Sequence, residues 1–410
     1  MENFQKNLDK YAELAVKVGV NIQNGQTLVV NAGIDNAEFI RLIVKKSYEA
    51  GAKNVIVNWN DDVVSKLKYD LAPDEAFHEY PAWRARELEE LAENSAAFMS
   101  VVSSSPDLLK GVNPDRIANF QKAAGKSLSK YRQYMQSDKV SWTVIAAPSQ
   151  DWAAKVFPNE APEEQLSKLW NAIFKATRAD LDNPIDVWKT HDKTLYQKVE
   201  YLNKKRYKKL HYTAPGTDLT IELPKGHLWA GAGSVNEKGH EFMANMPTEE
   251  VFTVPHKNGV NGFVASTKPL SYGGNIIDEF TVTFENGRII DVKAKEGEAI
   301  LKQLVETDEG SHYLGEVALV PFNSPISQSN ILFYNTLFDE NASNHLAIGS
   351  AYAFCLEGGK QMSQEELAEH GLNSSITHVD FMIGSAEMDI DGITEAGEAE
   401  PIFRKGDWAF

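Results

Sequence analysis

Thr27-Leu28-Val29-Val30-Asn31 is a short apolar run, the length of a buried strand and too short for a globular helix. A helical pattern over residues 36–50 follows, stopped by Gly51, and a second strand-like run comes next, Asn54-Val55-Ile56-Val57-Asn58-Trp59. The alternation recurs twice. A helix through Ala82-Trp83-Arg84-Ala85-Arg86-Glu87-Leu88-Glu89-Glu90-Leu91 leads to Ala97-Phe98-Met99-Ser100-Val101-Val102, and a helix over 115–135 leads to Val140-Ser141-Trp142-Thr143-Val144-Ile145-Ala146. Upstream, Phe4, Leu8, Tyr11, Ala12, Ala15 and Val18 mark one helix face, ended by Gly19. Strands alternating with helices predict parallel βαβ units, hence an open α/β domain with a parallel sheet.

That domain has no nucleotide signature. The turn after the first strand, Ala32-Gly33-Ile34-Asp35-Asn36, lacks the glycine fingerprint that lets a backbone approach pyrophosphate. Residues 162–209 read as helical and end in Lys204-Lys205-Arg206-Tyr207-Lys208-Lys209, cations favoured by the carbonyl dipole at a helix end. After His211 the texture turns β-rich. Asp218-Leu219-Thr220-Ile221-Glu222-Leu223 alternates, Asn286-Gly287 marks a hairpin, and one helix over 298–306 interrupts. A break near residue 210 therefore divides the chain. Residues 1–210 are expected to be an α/β scaffold and substrate-wall domain, and 211–410 a β-rich α+β domain that is catalytic and binds metal.

Bulk properties narrow the function. The 410 residues suffice for about two or three domains. At 42% hydrophobic and 24% charged the composition is that of a globular protein, and no apolar run approaches the roughly 20 residues that span a bilayer. The start, Met1-Glu2-Asn3-Phe4-Gln5-Lys6, does not read as a signal peptide. The single Cys355 excludes an intrachain disulfide and a cysteine-built zinc site, and its apolar surroundings suit core better than a nucleophile. A cytoplasmic location with no membrane partner is expected. The net charge of -17 argues against nucleic acid. Up to Leu210 there are 30 Lys+Arg against 28 Asp+Glu; beyond it, 11 against 30, with eight of the ten histidines. A half rich in carboxylate and imidazole suits cations, although acidic surfaces also simply aid solubility.

Four places in that half offer metal ligands. Glu249 and Glu250 stand at the mouth of an apolar strand, and Glu316 lies in a segment that should be buried. Glu340 and His345 fall in Asn335-Thr336-Leu337-Phe338-Asp339-Glu340-Asn341-Ala342-Ser343-Asn344-His345-Leu346-Ala347-Ile348-Gly349, which closes on Tyr352 and reads as a loop leaving a buried strand. His378 and Asp380, at i and i+2 of a predicted strand, share a face. Mixed carboxylate and imidazole donors suit zinc, cobalt or manganese. Taken singly, each has a plainer reading: a solvated strand end for Glu250, an ion pair for Glu316, a hydrogen-bonded loop residue for His345, a core aromatic for Tyr352. The His-Glu-x-x-His helix and the Gly-x-Ser-x-Gly elbow are both missing.

Met246-Pro247-Thr248-Glu249-Glu250-Val251-Phe252-Thr253, Glu340-Asn341-Ala342-Ser343-Asn344-His345-Leu346-Ala347-Ile348-Gly349 and His378-Val379-Asp380 carry a resemblance. The whole chain resembles the metallo-aminopeptidases of the thermophilic type, the aminopeptidase T, S and II family. The resemblance implies two divalent ions (Zn, Co, Mn or Mg) held by Glu250, Glu316, His345, His378 and Asp380, with Glu340 as a further ligand or a supporting residue. It also implies Glu316 as the bridging carboxylate, Tyr352 as a catalytic tyrosine, a homodimer, and peptides with a free N-terminus as substrates. Asn344 departs from relatives that often carry cysteine there, at a position that is no ligand.

On that reading a metal-activated water attacks the first peptide bond. Glu316 or a neighbouring glutamate moves its proton. The Tyr352 hydroxyl steadies the oxyanion, an effect worth roughly 3–4 kcal/mol for one good donor. The alternatives are another dinuclear hydrolase, for amides or phosphoesters, and a non-catalytic metal-dependent binding protein. Phosphoester chemistry would call for arginines, yet residues 211–410 hold only Arg288 and Arg404.

Overall fold

A computed structural model describes residues 2–272 and 275–410. The chain divides into two compact units, Met1–Thr190 with Gly233–Pro247, and His191–Ala232 with Thr248–Phe410. The division falls within helix Pro184–Lys205.

The first unit contains the expected parallel sheet, in the order Asn54–Asn60, Thr27–Gly33, Ala97–Val102, Trp142–Ala146. Leu28, Val29 and Val30 are all fully buried, as a strand covered on both faces requires. The N-terminal helix Glu2–Leu14 runs on into a π-turn, Ala15–Gly19. Its Tyr11 stacks on Phe39 with ring centroids 5.1 Å apart and donates its hydroxyl to the Ala146 carbonyl at 2.9 Å. Two elements differ from expectation. The helix predicted over 115–135 is two, Pro114–Ser127 and Ser129–Gln136, interrupted at Leu128. A further helix, Asp62–Leu71, capped by the Asp61 side chain, buries none of its residues.

The second unit is built on antiparallel sheets. In the larger one, strands Asn275–Glu285 and Arg288–Glu296 pair around Asn286 and Gly287, whose φ values of 49° and 82° suit a left-handed hairpin turn. The other has five strands in the order His378–Met382, His345–Gly349, Leu314–Leu319, Val251–Thr253, Ala230–Gly231. Val317, Leu319, Leu346, Ile348 and Phe381 from this sheet join one core with Leu210, Tyr212, Leu219 and Val282 from the larger. Lys204 and Lys205 close the last turn of helix Pro184–Lys205, and Lys205 and Arg206 pair with Glu400 and Glu357.

The stretch 335–349 is not a loop leaving a strand. Thr336–Asp339 is a helical turn, Glu340–Ala342 a 3-10 turn, and His345 is the first residue of an inner strand. His345-Leu346-Ala347-Ile348-Gly349 is buried on both faces, so it shows no polar–apolar alternation.

Candidate metal centre

One face of the five-stranded sheet gathers the acidic and imidazole side chains. Glu316 pairs with Ala347, and Ala347 pairs with Asp380, giving a row across three strands. Opposed residues share a sheet face, and alternate residues along a strand return to it. His345 and Gly349 lie two positions either side of Ala347, and His378 two before Asp380, so all face the same way. Small residues at Ala318, Ala347 and Gly349 leave that face open. At Gly349 (φ 118°) a Cβ would stand 2.2 Å from the Thr377 carbonyl oxygen, so glycine alone fits. The register shifts between Leu314 and Glu316, an irregularity of the kind that re-aims side chains beside active sites.

Glu250 enters from the residue before strand Val251–Thr253. Its neighbour Glu249 gives its N–H to the buried Asn341 side chain at 2.7 Å. The result is two triads with a common member, Glu250–Glu316–His345 and Glu316–His378–Asp380, each with its donor atoms within 4.8 Å of one another. His345 Nε2 lies 3.3 Å from Glu250 Oε2 and 3.5 Å from Glu316 Oε1. His378 Nε2 lies 3.4 Å from Glu316 Oε2 and 3.5 Å from Asp380 Oδ1.

The other nitrogen of each ring faces a carbonyl: His345 Nδ1 meets Ser343 O at 3.1 Å and His378 Nδ1 meets Ser350 O at 2.8 Å. A carbonyl only accepts, so Nδ1 carries the hydrogen. When each ring is neutral, Nε2 is left with a lone pair turned toward the carboxylates.

This donor set fits divalent cations. Four carboxyl groups, Glu250, Glu316, Glu340 and Asp380, stand against two imidazoles, and among the described residues no lysine or arginine pairs with any of them. The strain shows in their proton affinities. Burial, then the charges of Glu250 and Asp380, lifts Glu340 well above the usual carboxylate range. Burial and the Glu316 charge push Asp380 up to about 6. Burial alone would lower the histidines, but the carboxylates outweigh it: His345 is held well above its ordinary value and His378 rises to about 9. Both imidazolium groups in turn hold Glu316 below its usual range despite its burial. Asp380 Oδ1 is buried without a hydrogen-bond partner. A site so overcharged with oxygen donors calls for cations.

Tyr352 keeps 40% of its surface exposed, yet its ring stands 4.8 Å from His378 and 5.3 Å from Phe354. Burial of its hydroxyl end, then the Glu316 and Asp380 charges, raises its proton affinity, so the phenol remains a donor at neutral pH. Glu340 stands outside both triads, and its side chain makes no hydrogen bond among the described residues. Cys355 is buried and its thiol is pushed up, as a core residue's would be.

A cavity of about 540 Å³ opens on the cluster, with Glu340, His378 and Asp380 on one side and Lys268, Tyr272, Tyr334 and Asp339 elsewhere in its wall. Sequence reasoning missed Asn341 and the cavity wall. Asn341 lies inside the quoted stretch, where an amide between a glutamate and small residues is the one available signal. Lys268-Pro269 had only its rarity, as one of 11 cations in the acidic half.

Known proteins resemble this chain over its whole length. The sequence model described as "Thermophilic metalloprotease (M29)" matches residues 4–408. "Aminopeptidase AmpS" of Bacillus subtilis (strain 168) is 70% identical over 410 residues, covering 100% of both chains. "Aminopeptidase PepS" of Streptococcus thermophilus is 50% identical over 409 residues, 100% of this chain and 99% of that one. The solved structure "Wild-type AmpT from Thermus thermophilus" superposes with a TM-score of 0.93 at 40% identity, covering 99% of this chain and 100% of that one.

Proposed function

The chain belongs to the thermophilic metalloprotease family M29 and is a metal-dependent aminopeptidase; we propose that the two triads joined by Glu316 hold a pair of divalent ions at its active centre. The joined triads are the observation that carries this reading. Glu250, Glu316 and His345 would hold one ion and Glu316, His378 and Asp380 the other, within the residue 211–410 catalytic region. Zinc, cobalt, manganese or magnesium there supplies Lewis acidity, lowering the pKa of water towards neutrality and polarising a carbonyl.

The chain's own groups do the rest. Glu316, common to both triads, accepts a hydrogen bond from the attacking water and orients it. Glu340, buried beside both triads and with no side-chain hydrogen bond among the described residues, takes that water's proton and returns it to the leaving amine. The Tyr352 hydroxyl donates to the carbonyl oxygen as negative charge gathers there. An acidic cavity favours a substrate with a free α-amine over a blocked one.

The substrates are peptides with free N-termini, and the working form is a cytoplasmic homodimer. Helix Asp62–Leu71 supports self-association: it exposes Val63, Val64, Leu67 and Leu71, an apolar face that no other described residue buries. No helix among the described residues is long and apolar enough to cross a membrane.

Hydrolysis of aminoacyl p-nitroanilides by chelated and metal-restored protein tests the reading. Activity should vanish with chelation, return with the ion, and be absent on N-acetylated substrates. Equal cleavage of blocked and free substrates would exclude an aminopeptidase.

A further inference from the structure

The cavity beside the acidic cluster holds one cation for which the reaction above has no use. At about 540 Å³ it lies within the size range of small-ligand sites. Lys268 is the sole lysine or arginine among its lining residues. It occupies the turn between strands Val260–Ala265 and Leu270–Tyr272. That turn is pinned: the Thr267 N–H donates to Met382 O at 2.9 Å, its hydroxyl donates to Gly384 O at 2.8 Å, and Pro269 fixes the next φ. Met382 ends the strand that carries His378 and Asp380, so the backbone of Lys268 is set in register with the cluster.

Lys268 is half-buried, yet its ammonium has no hydrogen-bond or ion-pair partner among the described residues. The carboxylate whose charge it feels, Asp339, is already engaged, accepting the backbone N–H groups of Phe333 at 2.8 Å and Asn335 at 2.9 Å. Withdrawing an ammonium from water without a partner is costly, and an anionic ligand would offset that cost.

We propose that Lys268 is a specificity-determining residue that binds a carboxylate of the substrate. The inference rests on the aminopeptidase reading and adds a preference to it. The carboxylate has two sources, an acidic side chain on the N-terminal residue or the C-terminus of a dipeptide. In both, the group lies only a few bonds from the scissile amide.

Two matched substrate pairs separate the sources. Glu-p-nitroanilide against Gln-p-nitroanilide reads the side chain; Leu-Gly against Leu-Gly-amide reads the C-terminus. In Lys268→Met the kcat/KM ratio of the charged over the neutral member should fall roughly tenfold or more in one pair, mainly through KM. Lys268→Arg should restore part of it. Calorimetry of the chelated protein with L-glutamate and L-glutamine, and with Leu-Gly and its amide, reads the same charge without turnover. A carboxylate preference lost in Lys268→Met supports the proposal. Ratios and affinities unmoved by Lys268→Met in both pairs overturn it, while wild-type cleavage of Leu-p-nitroanilide would still uphold the aminopeptidase. Loss of that cleavage alone would strike the enzymatic reading and leave the binding result to stand.

Discussion

The side-chain oxygen of Asn341 accepts the Glu249 backbone N–H at 2.7 Å, linking segments 92 residues apart. Its amide nitrogen donates to Leu337 O at 3.0 Å, and the whole residue is buried. Asn341 follows Glu340 and Glu249 precedes Glu250, so one amide fixes two carboxyl-bearing backbones relative to each other. Asn341→Leu keeps the volume but strands a buried N–H, a loss of roughly 1–3 kcal/mol. Urea denaturation should show that loss, and zinc titration should show weaker binding in protein that remains folded. Unchanged zinc affinity would remove Asn341 from any role in shaping the centre.

Ala347 stands between Glu316 and Asp380 in the cross-strand row, fully buried. A larger side chain there would crowd both carboxylates. Ala347→Val should destabilise the fold by roughly 1–3 kcal/mol through overpacking and weaken zinc binding beyond what unfolding explains. Ala347→Gly leaves the row open and should bind zinc within a few-fold of wild type. Calorimetric titration of the two variants decides the point; similar affinities would show that the space above residue 347 is not critical.

The parallel sheet was legible because its strands are short apolar runs bounded by glycines and polar residues. Helix Asp62–Leu71 was not: it opens on the β-branched pair Val63-Val64, which lowers helix propensity, and it has no buried face. His378 and Asp380 could be read as neighbours because i and i+2 share a face within one strand. The approach of Glu316 to His345 could not, since it depends on a register between strands that shifts beside Gly315. Periodicity also concealed the His345 strand, whose uniform burial removes alternation. Lys268 depended on a turn anchored more than a hundred residues away, at Met382 and Gly384.

Glu316 and Tyr352 separate metal binding from chemistry. Glu316→Gln weakens a carboxylate common to both triads, so zinc stoichiometry should fall below that of wild type and activity should be lost. Free zinc at a hundredfold its Kd stabilises the wild type by about 2.7 kcal/mol for each ion bound, and thermal scans with and without chelator should show a much smaller gap in Glu316→Gln. Tyr352→Phe keeps the ring beside Phe354 but removes the donor. Its kcat should drop by roughly 10²–10³ with zinc stoichiometry intact. Full activity in Tyr352→Phe would deny the hydroxyl its role.

Asp308 gives the chain a pH-dependent clasp on the segment leading into His378. Its carboxylate accepts the Ser311 N–H at 2.7 Å, the Ser375 hydroxyl at 2.7 Å and the Ile376 N–H at 2.8 Å. Partial burial would raise the carboxyl, but these bonds prevail and bring it down to about 2. The folded value is therefore below the unfolded one, near 4. The resulting stability is complete above pH 4 and disappears as pH falls through about 2. Because the group is half-exposed, solvent screening reduces the contribution to roughly 1 kcal/mol. Urea midpoints of wild type and Asp308→Asn should differ at pH 7 and converge between pH 4 and 2. A gap that stays constant over that range would mean the carboxylate charge contributes nothing to the clasp.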